Sequence, residues 1–440
     1  MTAAGGMLAA LGNLETANAT PMAQDYKALV CIFLFGGNDG HNTVFPMSNT
    51  EYNAYIAKRG GLALTGNKAL PITTTSGGQY GLNYGLVEMQ SLFQQGKVAV
   101  LANTGILNQP TTQPQYAQAS VPLPTQLFSH SDQVVQMQAG VPNSSAGSGW
   151  GGRIADLVQA NNAGTTFPVA ISFNGSSLYV AGQAVPATNL QPGNSLQQYA
   201  MSGGWPQAAI DARANAQKQV ALAGSSNRIV AAADKVMNDT WNLNAILQGA
   251  AGGALNTVFP STSLGNQLKE VAHFINLRAQ TGASRQVFFC GLGGFDTHSG
   301  QDYQQWDLLH QLSQALKSFY DASIEMGASQ DVTSFTLSDF GRSLQPSGTG
   351  SDHGWGSHHL IVGGGVSGGQ IYGTFPILNA SDSAYNPNAF ADSRGVLIPT
   401  SSLAQYGATL AKWFGAQDAQ LNGLFPELAN FTTRDLGFMG

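Results

Sequence analysis

Apolar runs rich in β-branched and aromatic residues recur along the chain and are typical of buried strands. Between them, apolar residues recur at three- and four-residue spacings, which place them on one face of a helix. Strands that alternate with long helices predict an α/β fold, in which a mostly parallel central sheet carries helices on both faces. The predicted strands cover residues 27–36, 97–104, 286–292, 332–338 and 359–364, and one predicted helix covers 262–280. A second helix begins near Gln301, with an apolar face made of Trp306, Leu309, Leu312, Leu316, Phe319 and Ile324.

The pattern changes between about residues 141 and 255. Loops rich in Gly, Ser and Pro surround two short predicted strands (PVAISF and SLYVAG), and an Ala/Gln-rich helical stretch begins at residue 206. Because the alternation of strands and helices resumes afterwards, we interpret this segment as an inserted cap within one α/β domain that spans residues 24–440. Arg153 is expected to anchor the start of the cap through backbone carbonyls or a carboxylate, and Trp150 is expected to pack on the core.

The first 23 residues are small, apolar and uncharged until Glu15, and the segment TANA that follows resembles a cleavage site between small residues. This pattern indicates the remnant of an export leader; an ordinary flexible N-terminus is the alternative. An export leader would direct the protein to the periplasm or the cell exterior. No later segment has the ~20 uninterrupted apolar residues of a membrane-spanning helix, so no membrane span is predicted.

Charged residues make up only 10% of the chain, against about a quarter in typical globular proteins. Uncharged polar residues take their place, a composition that we associate loosely with exported proteins. The net charge of -6 and the lack of any Lys/Arg cluster argue against a nucleic-acid partner. The two cysteines, Cys31 and Cys290, fall within predicted strands and are expected to be small buried side chains; a disulfide between neighbouring strands is the alternative.

Acidic residues, histidines and asparagines follow the predicted strands in loops rich in glycine. Ligands of an open α/β sheet bind beyond the C-terminal ends of its strands, and the ends of neighbouring parallel strands converge there. We therefore expect these loops to form one site, in which Asp296, His298, Asp339 and His353 converge. The loop residues concerned are Asn38, Asp39, His41, Asn42, Ser129, His130, Asp296, His298, Asp339, Arg342, Asp352, His353, His358 and His359.

Each of these residues also has an ordinary structural explanation, because Asp or Asn beside Gly makes turns and loop histidines are often solvated. His273 and His310, which fall within predicted helices, are expected to be structural. Taken together, carboxylates and imidazoles suit Zn²⁺ or Mn²⁺, whereas carboxylates alone would suit Ca²⁺ or Mg²⁺. The sequence predicts one or two divalent metal ions, with candidate ligands Asp39, Asp296, His298, Asp339, Asp352, His353 and His358.

Other loop residues have predicted roles around this metal site. Ser129 is the candidate nucleophile, because it precedes a helix whose N-terminal amides would favour an anionic substrate; helix capping is its structural alternative. His130 would be a metal ligand or the proton donor to the leaving group. Arg342 is expected to bind the substrate, since a guanidinium matches an oxygen pair of phosphate or sulfate. Asn38 and His41 are further candidates for substrate binding.

At these loops the chain resembles a family of uncharacterised bacterial proteins known as domain of unknown function 1501, whose members are often exported by the twin-arginine route. The resemblance implies a fold similar to that of alkaline phosphatases, sulfatases and cofactor-independent phosphoglycerate mutases. The matching segments lie in order within residues 27–374 and are FLFGGNDGHNTVFP, LFSHSDQVVQMQAG, GWGGRIADL, GGFDTHSGQ and SDFGRSLQPSGTGSDHGWGSHHLIVGGGVSGGQIYG.

The resemblance also implies roles for individual residues. Asp39 matches the metal ligand that follows the first strand, and Ser129 matches the nucleophile. Asp296 and His298 match the middle metal-binding pair, although the spacing between them is shorter than in the mutases. Neither cysteine matches the modified cysteine of sulfatases, which counts against formylglycine chemistry.

One position departs from the superfamily pattern. Asp339 matches the first member of an adjacent Asp–His pair, but Phe340 stands where the histidine is expected. The departure implies either that a single metal ion binds or that His353 or His358 takes the place of the missing histidine.

The function that these observations predict is that of an exported, metal-dependent hydrolase of phosphate or sulfate esters with a serine nucleophile. Its substrate would be a small anionic ester or a sulfated or phosphorylated polymer. One alternative is a non-catalytic binding or assembly protein that retains the fold, with a structural ion. Another is a calcium-stabilised scaffold for glycan or surface-layer association, which a site lined by oxygen atoms without histidine would favour.

Overall fold

The computed structural model describes residues 25–163, 165, 167–193, 205–227 and 254–440, together with several positions between 230 and 241. The predicted leader remnant at residues 1–23 and much of the second half of the predicted cap lie outside the described residues. Within the described part of the chain, no helix is long and apolar enough to cross a membrane.

The predicted apolar runs form strands, and the predicted amphipathic segments form helices. In the described residues the strands are β1 (Lys27–Phe35), β2 (Val44–Pro46), β3 (Ala69–Thr73), β4 (Gln79–Asn83), β5 (Val98–Gly105), β6 (Ala170–Ser172), β7 (Thr188–Asn189), β8 (Arg285–Gly293), β9 (Val332–Ser338), β10 (Arg342–Ser347), β11 (Gly350–His353), β12 (Ser357–Gly363), β13 (Gln370–Gly373) and β14 (Ser401–Ser402). The α-helices are α1 (Gly40–Thr43), α2 (Asn49–Arg59), α3 (Val87–Gln94), α4 (Gln113–Ala117), α5 (His130–Ala139), α6 (Trp150–Leu157), α7 (Gln207–Leu222), α8 (Ser263–Asn276), α9 (Arg278–Thr281), α10 (Gln301–Glu325), α11 (Leu403–Phe414) and α12 (Leu421–Leu424).

A central sheet has the strand order β13–β5–β12–β9–β1–β8–β6–β7, and β14 also pairs with β5. β1 is parallel to both β8 and β9, so the predicted α/β fold with a mostly parallel sheet is confirmed. The prediction of parallel neighbours is wrong for β12, which is antiparallel to β5 and β9. Since β12 runs the opposite way, its first residues lie at the edge where the parallel strands end.

Alternate residues of β1 pack into two different hydrophobic cores, because successive side chains of a strand point to opposite faces. Val30 and Ile32 belong to the core that contains α3, α8 and α10. Leu29 and Phe33 belong to the core that contains α6 and α11. Helices therefore cover both faces of the sheet, as predicted.

Both cysteines are buried and unpaired, as the main prediction has it. Cys31 lies directly across from Phe289 of the neighbouring strand, one position before Cys290. Residues directly across from each other point to the same face, so the two thiols lie in opposite cores. The alternative of a disulfide between neighbouring strands is therefore wrong.

The helix predicted from Gln301 is α10, and it buries Leu309, Leu312 and Phe319 in the core. Ile324 is exposed, so the predicted apolar face is wrong at its last position, in the final turn of the helix. His273 and His310 lie within α8 and α10, in helices as predicted.

The first part of the predicted cap contributes to the central sheet, because β6 pairs with β8 and β7 pairs with β6. The segment SLYVAG forms a 3-10 turn at Leu178–Val180 and not the predicted strand. Arg153 donates to the carbonyl oxygens of Ala139 at 2.7 Å and Leu424 at 2.8 Å, which confirms the predicted anchoring. Trp150 is fully buried in the core, also as predicted.

Candidate metal centre

Several loops meet at the carboxyl edge of the central sheet, where β1, β8 and β9 end and β12 begins. The hairpin of β10 and β11 connects β9 to β12. Gly36, directly after β1, has a φ of +112°, and a Cβ atom on it would lie 2.4 Å from the backbone nitrogen of Asp296. Only glycine permits the loops after β1 and β8 to approach this closely.

His130, Asp296 and His353 form a compact group, whose possible ligand atoms all lie within 4.8 Å of one another. We refer to these three residues as the His–Asp triad. His130 Nε2 lies 3.1 Å from His353 Nε2, and Asp296 Oδ1 lies 3.4 Å from the first nitrogen and 3.5 Å from the second. The triad is assembled from the first residue of α5, the loop after β8 and the last residue of β11.

The outer nitrogen of each triad imidazole faces a hydrogen-bond acceptor. His130 Nδ1 lies 2.7 Å from Asp339 Oδ2, and His353 Nδ1 lies 2.7 Å from the carbonyl oxygen of Phe128. Each Nδ1 is therefore the protonated nitrogen, and in the neutral ring Nε2 keeps its lone pair for a ligand. Phe128 has a φ of +74°, a backbone conformation that residues other than glycine rarely adopt.

The surroundings of the triad move its pKa values in different directions. The hydrogen bond with Asp339 raises the pKa of His130, whereas burial lowers the pKa of His353. Burial opposes ionisation of Asp296, but the Arg342 guanidinium outweighs it, so the pKa of Asp296 is lowered. An ionised carboxylate beside a neutral imidazole is the combination that a cation requires.

Arg342 is fully buried at the start of β10. Its Nε donates to the carbonyl of Gly37 at 2.9 Å, and its Nη2 donates to the carbonyl of Gly36 at 2.8 Å. Its Nη1 donates to the carbonyl of Ser351, and Nη2 also contacts Asp296. Because every guanidinium nitrogen has a protein acceptor, these contacts favour a role in positioning Asp296 over the predicted binding of a substrate anion.

Phe340, which stands where the family resemblance implies a histidine, packs against both triad imidazoles. Its ring centroid lies 4.8 Å from that of His130 and 4.7 Å from that of His353. A phenyl ring cannot bind a metal ion, but here it fixes the orientation of the two rings that can. Of the two replacements that the resemblance leaves open, His353 lies in the triad and His358 does not.

His298 and Asp352 lie at the exposed side of the triad. His298 Nε2 lies 3.0 Å from His353 Nε2 and 3.0 Å from Asp296 Oδ1. His298 Nδ1 lies 3.5 Å from Asp352 Oδ1. The structure thus brings together Asp296, His298 and His353 directly, and Asp339 joins them through its hydrogen bond with His130.

Asp39 lies in a buried ion pair and does not belong to the triad. One of its carboxylate oxygens contacts both Arg59 and Gln301, and the other has no hydrogen-bond partner among the described residues. Arg59 is fully buried and also donates to the carbonyls of Ser343 at 3.0 Å and Leu344 at 2.8 Å. Asp39, the metal ligand predicted after the first strand, is therefore paired with the Arg59 guanidinium, and this ion pair stabilises the loop after β1.

His41 and His358 are buried near each other, with ring centroids 6.3 Å apart. Burial lowers the pKa of each to about 3, and it lowers the pKa of His359 to about 4. His358 Nδ1 accepts a hydrogen bond from the backbone N–H of Asn103 at 3.0 Å. Asn38 is buried as well. The predicted substrate-binding residues Asn38 and His41 and the predicted ligand His358 therefore do not belong to the triad.

Ser129 immediately precedes α5 and the triad residue His130. Its hydroxyl donates to Asp132 Oδ2 at 2.5 Å and lies 3.2 Å from the hydroxyl of Ser131. The side chain makes no capping hydrogen bond to the backbone of α5, so helix capping does not account for this serine. The hydroxyl is held by a carboxylate, one residue away from a triad ligand.

Sequence reasoning missed Arg59 and Arg394, which interact with predicted site residues. Arg59 is the last residue of α2, where basic residues ordinarily interact with the helix dipole at the surface, so nothing in the sequence marks it as buried. Arg394 Nη1 lies 3.8 Å from Asp352 Oδ2. Its segment, ADSRG, carries only the signal of a turn.

The triad fits a divalent transition-metal ion. In a tetrahedral site with metal–nitrogen distances of about 2.0–2.1 Å, neighbouring ligand atoms lie roughly 3.3–3.4 Å apart. The triad has separations of 3.1, 3.4 and 3.5 Å. Two imidazoles and one carboxylate suit Zn²⁺ or Mn²⁺ better than Ca²⁺ or Mg²⁺. His298 Nε2 lies 3.0 Å from two of the three triad atoms but does not belong to the group whose atoms all lie within 4.8 Å of one another.

The central sheet is mostly parallel, and imidazole and carboxylate groups lie together at its carboxyl edge. The protein is therefore an α/β protein with a candidate His–Asp metal site. The chain belongs to the family described as Protein of unknown function (DUF1501), whose sequence profile matches residues 26–423. A search of curated proteins finds no match to the chain.

Several solved structures are similar to most of the chain. Ps i-CgsB in complex with k-i-k-neocarrahexaose is 10% identical, with a TM-score of 0.37 over 91% of this chain and 74% of that chain. The lipoteichoic acid synthase LtaP from Listeria monocytogenes is 7% identical, with a TM-score of 0.37 over 91% and 78%. A protein in the alkaline phosphatase superfamily from Vibrio parahaemolyticus is 11% identical, with a TM-score of 0.30 over 78% and 62%. These TM-scores lie below 0.5, so the functional assignment rests on the geometry of the site.

Proposed function

We propose that this protein is a metal-dependent hydrolase of phosphate or sulfate esters that acts in the periplasm or outside the cell. The observation that carries the proposal is the His–Asp triad, in which two imidazole lone pairs and a carboxylate oxygen converge. A divalent ion bound there would supply positive charge to the anionic group of the ester. Asp339 and the carbonyl of Phe128 hold the two imidazoles in the tautomer that such binding needs.

Ser129 is the proposed nucleophile. Its oxygen would form a bond to the phosphorus or sulfur atom, its proton would pass to Asp132, and the alcohol would leave with a proton from solvent. Water would then cleave the esterified serine and restore the hydroxyl. The 2.5 Å hydrogen bond to Asp132 and the position beside His130 support this role.

Ester hydrolysis by two serine variants tests the proposal. We expect the wild-type protein to hydrolyse members of a panel of phosphate and sulfate esters, and Ser129→Ala to lower the rate by several orders of magnitude. The loss of stability should be small, because the deleted hydroxyl contacts the side chains of Ser131 and Asp132 near the protein surface, where water can replace it. Ser131→Ala, the matched control two residues away, should retain activity. Full activity of Ser129→Ala would exclude the serine route.

A second candidate function, a non-catalytic binding or assembly protein with a structural ion, is favoured by two observations. Asp39 is occupied by Arg59 and Phe340 replaces a histidine, so the site offers fewer ligands than a two-metal hydrolase of this superfamily would use. In that case the protein would contain metal and chelation would lower its thermal midpoint, but no ester in the panel would be hydrolysed.

A further inference from the structure

A cavity of about 410 Å³ lies beside the candidate metal centre. Strand β10 lies between the two, because Arg342 pairs with His353 of β11 on one side. Further along β10, the backbone N–H of Gln345 donates to the carbonyl of Arg394 at 2.9 Å. Leu344 and Gln345 of β10 line the cavity, together with residues on either side of Arg394. The cavity and the triad are therefore neighbours, with Arg394 at their boundary.

Arg394 is held in place by Asp392, and its third nitrogen, Nη1, faces Asp352 across a longer ion pair. Its Nε and Nη2 donate to Asp392 Oδ2 at 2.9 and 2.7 Å, and its guanidinium lies 6.0 Å from the ring centroid of Phe128. Nη1 lies 3.8 Å from Asp352 Oδ2, which is beyond hydrogen-bond distance. The side chain is 44% exposed. Arg342 differs, because its Nε, Nη1 and Nη2 all donate to backbone carbonyls.

The lining of the cavity is mostly uncharged and capable of hydrogen bonding. It includes the side chains of Gln113, Gln345, Asn388 and Ser393 and the rings of Tyr385 and Phe390. Amides and hydroxyls match the hydroxyl groups of a sugar as donors and acceptors, and aromatic rings cover its apolar C–H faces. Lys58 and Asp392 supply one charge of each sign, so the cavity itself does not select an anion.

We propose that Arg394 binds the anionic group of the substrate while the neighbouring cavity holds a polyhydroxylated alcohol, such as a sugar, to which that group is esterified. This inference rests on the proposed hydrolase function and narrows its substrates to phosphate or sulfate esters of sugars. The guanidinium, held by Asp392, places Nη1 3.8 Å from Asp352, whose other carboxylate oxygen lies 3.5 Å from His298 beside the triad. The alcohol then extends over β10 into the cavity.

Binding measured by saturation-transfer NMR tests both parts of this inference. The probes are a panel of sulfated and phosphorylated hexoses and the phenyl esters of the same two anions. We expect at least one hexose ester to bind more tightly than the phenyl ester of its anion. Arg394→Gln should weaken hexose and phenyl esters alike by about tenfold, the loss of one charge-assisted hydrogen bond. Tyr385→Ala should weaken the hexose esters only.

The control variant is Arg434→Gln, which removes a partly buried arginine that donates to Asn422, does not line the cavity and should leave all affinities unchanged. If no hexose ester binds more tightly than the matching phenyl ester, the cavity assignment is wrong. If Arg394→Gln binds every ester like the wild type, the anion assignment is wrong. The same spectra report hydrolysis: binding without turnover would contradict the proposed function alone, whereas turnover that is insensitive to Arg394 and Tyr385 would contradict this inference alone.

Discussion

Replacing Arg342 by Lys distinguishes a buried positioning residue from a ligand for the substrate anion. The guanidinium serves four acceptors: the carbonyls of Gly36, Gly37 and Ser351, and the carboxylate of Asp296. A lysine keeps the positive charge but carries its donors on a single nitrogen. The single nitrogen of a lysine cannot reach all the acceptors that the three nitrogens of Arg342 contact. At least two of the four acceptors therefore lose their hydrogen-bond partner.

The magnitude follows from burial. Arg342 is 0% exposed and the carbonyls of Gly37 and Ser351 belong to buried residues, so water cannot replace the lost donors there, whereas Asp296 is 49% exposed and can be solvated. Each buried acceptor left without a partner costs about 1–3 kcal/mol, and two of them lower the free energy of unfolding by roughly 2–6 kcal/mol. The matched control is Arg394→Lys at an exposed position, where the loss should stay below about 1 kcal/mol.

Urea unfolding monitored by tryptophan fluorescence measures both variants. The expected result is a large decrease of the midpoint for Arg342→Lys with an unchanged slope, and a small decrease for Arg394→Lys. An Arg342→Lys protein that keeps wild-type stability but no longer binds phosphate or sulfate would refute the positioning role and restore the anion-binding role predicted from the sequence.

Two further predictions concern the polar groups around the site. Asp339→Asn should weaken metal binding about 10–100-fold, because it removes the carboxylate that orients His130; competition with a chelator of known affinity measures this, and an unchanged affinity would show that the contact is incidental. The buried histidines His41, His358 and His359 should make the fold sensitive to acid. Their pKa values in the folded protein are about 3, 3 and 4. Below about pH 6.5 the unfolded chain therefore binds more protons than the folded protein does. Stability should therefore fall as the pH drops, by on the order of 2 kcal/mol per imidazole at pH 5. Urea titrations at pH 7 and pH 5 measure the loss of stability, which should be smaller in His359→Gln than in the wild type by the contribution of one imidazole. An equal loss in the wild type and the variant would show that His359 is not the source of the acid sensitivity.

The fold could be predicted from the sequence wherever periodicity decides it. The runs at β1, β5, β8, β9 and β12 are apolar because the sheet is covered on both faces. The direction of β12 could not be predicted, since an apolar run has the same pattern in either direction. The turn at Leu178–Val180 carries β-branched and aromatic residues like a strand, but they pack as a compact 3-10 turn.

The sequence predicts which loops form the site, but it does not predict which residues of those loops belong to the triad. The loops GGNDGH and GGFDTHSG have nearly the same composition, yet Asp296 belongs to the triad and Asp39 is paired with Arg59. The guanidinium that separates the two cases lies twenty residues beyond Asp39, at the end of a helix with an ordinary surface pattern. Burial of a long polar side chain depends on tertiary packing, which the local sequence does not encode.

Metal analysis of protein purified without chelator tests the central claim most directly, by comparing the wild type with His353→Ala and with His310→Ala. His310 is a matched control, since it lies on α10 and stacks on Trp306. We expect about one zinc or manganese ion per chain in the wild type and in His310→Ala, because the triad provides one set of ligands, and loss of that ion in His353→Ala. A wild-type protein that binds neither ion after reconstitution, or a His353→Ala protein with full metal content, would contradict the assignment of the triad as a metal site.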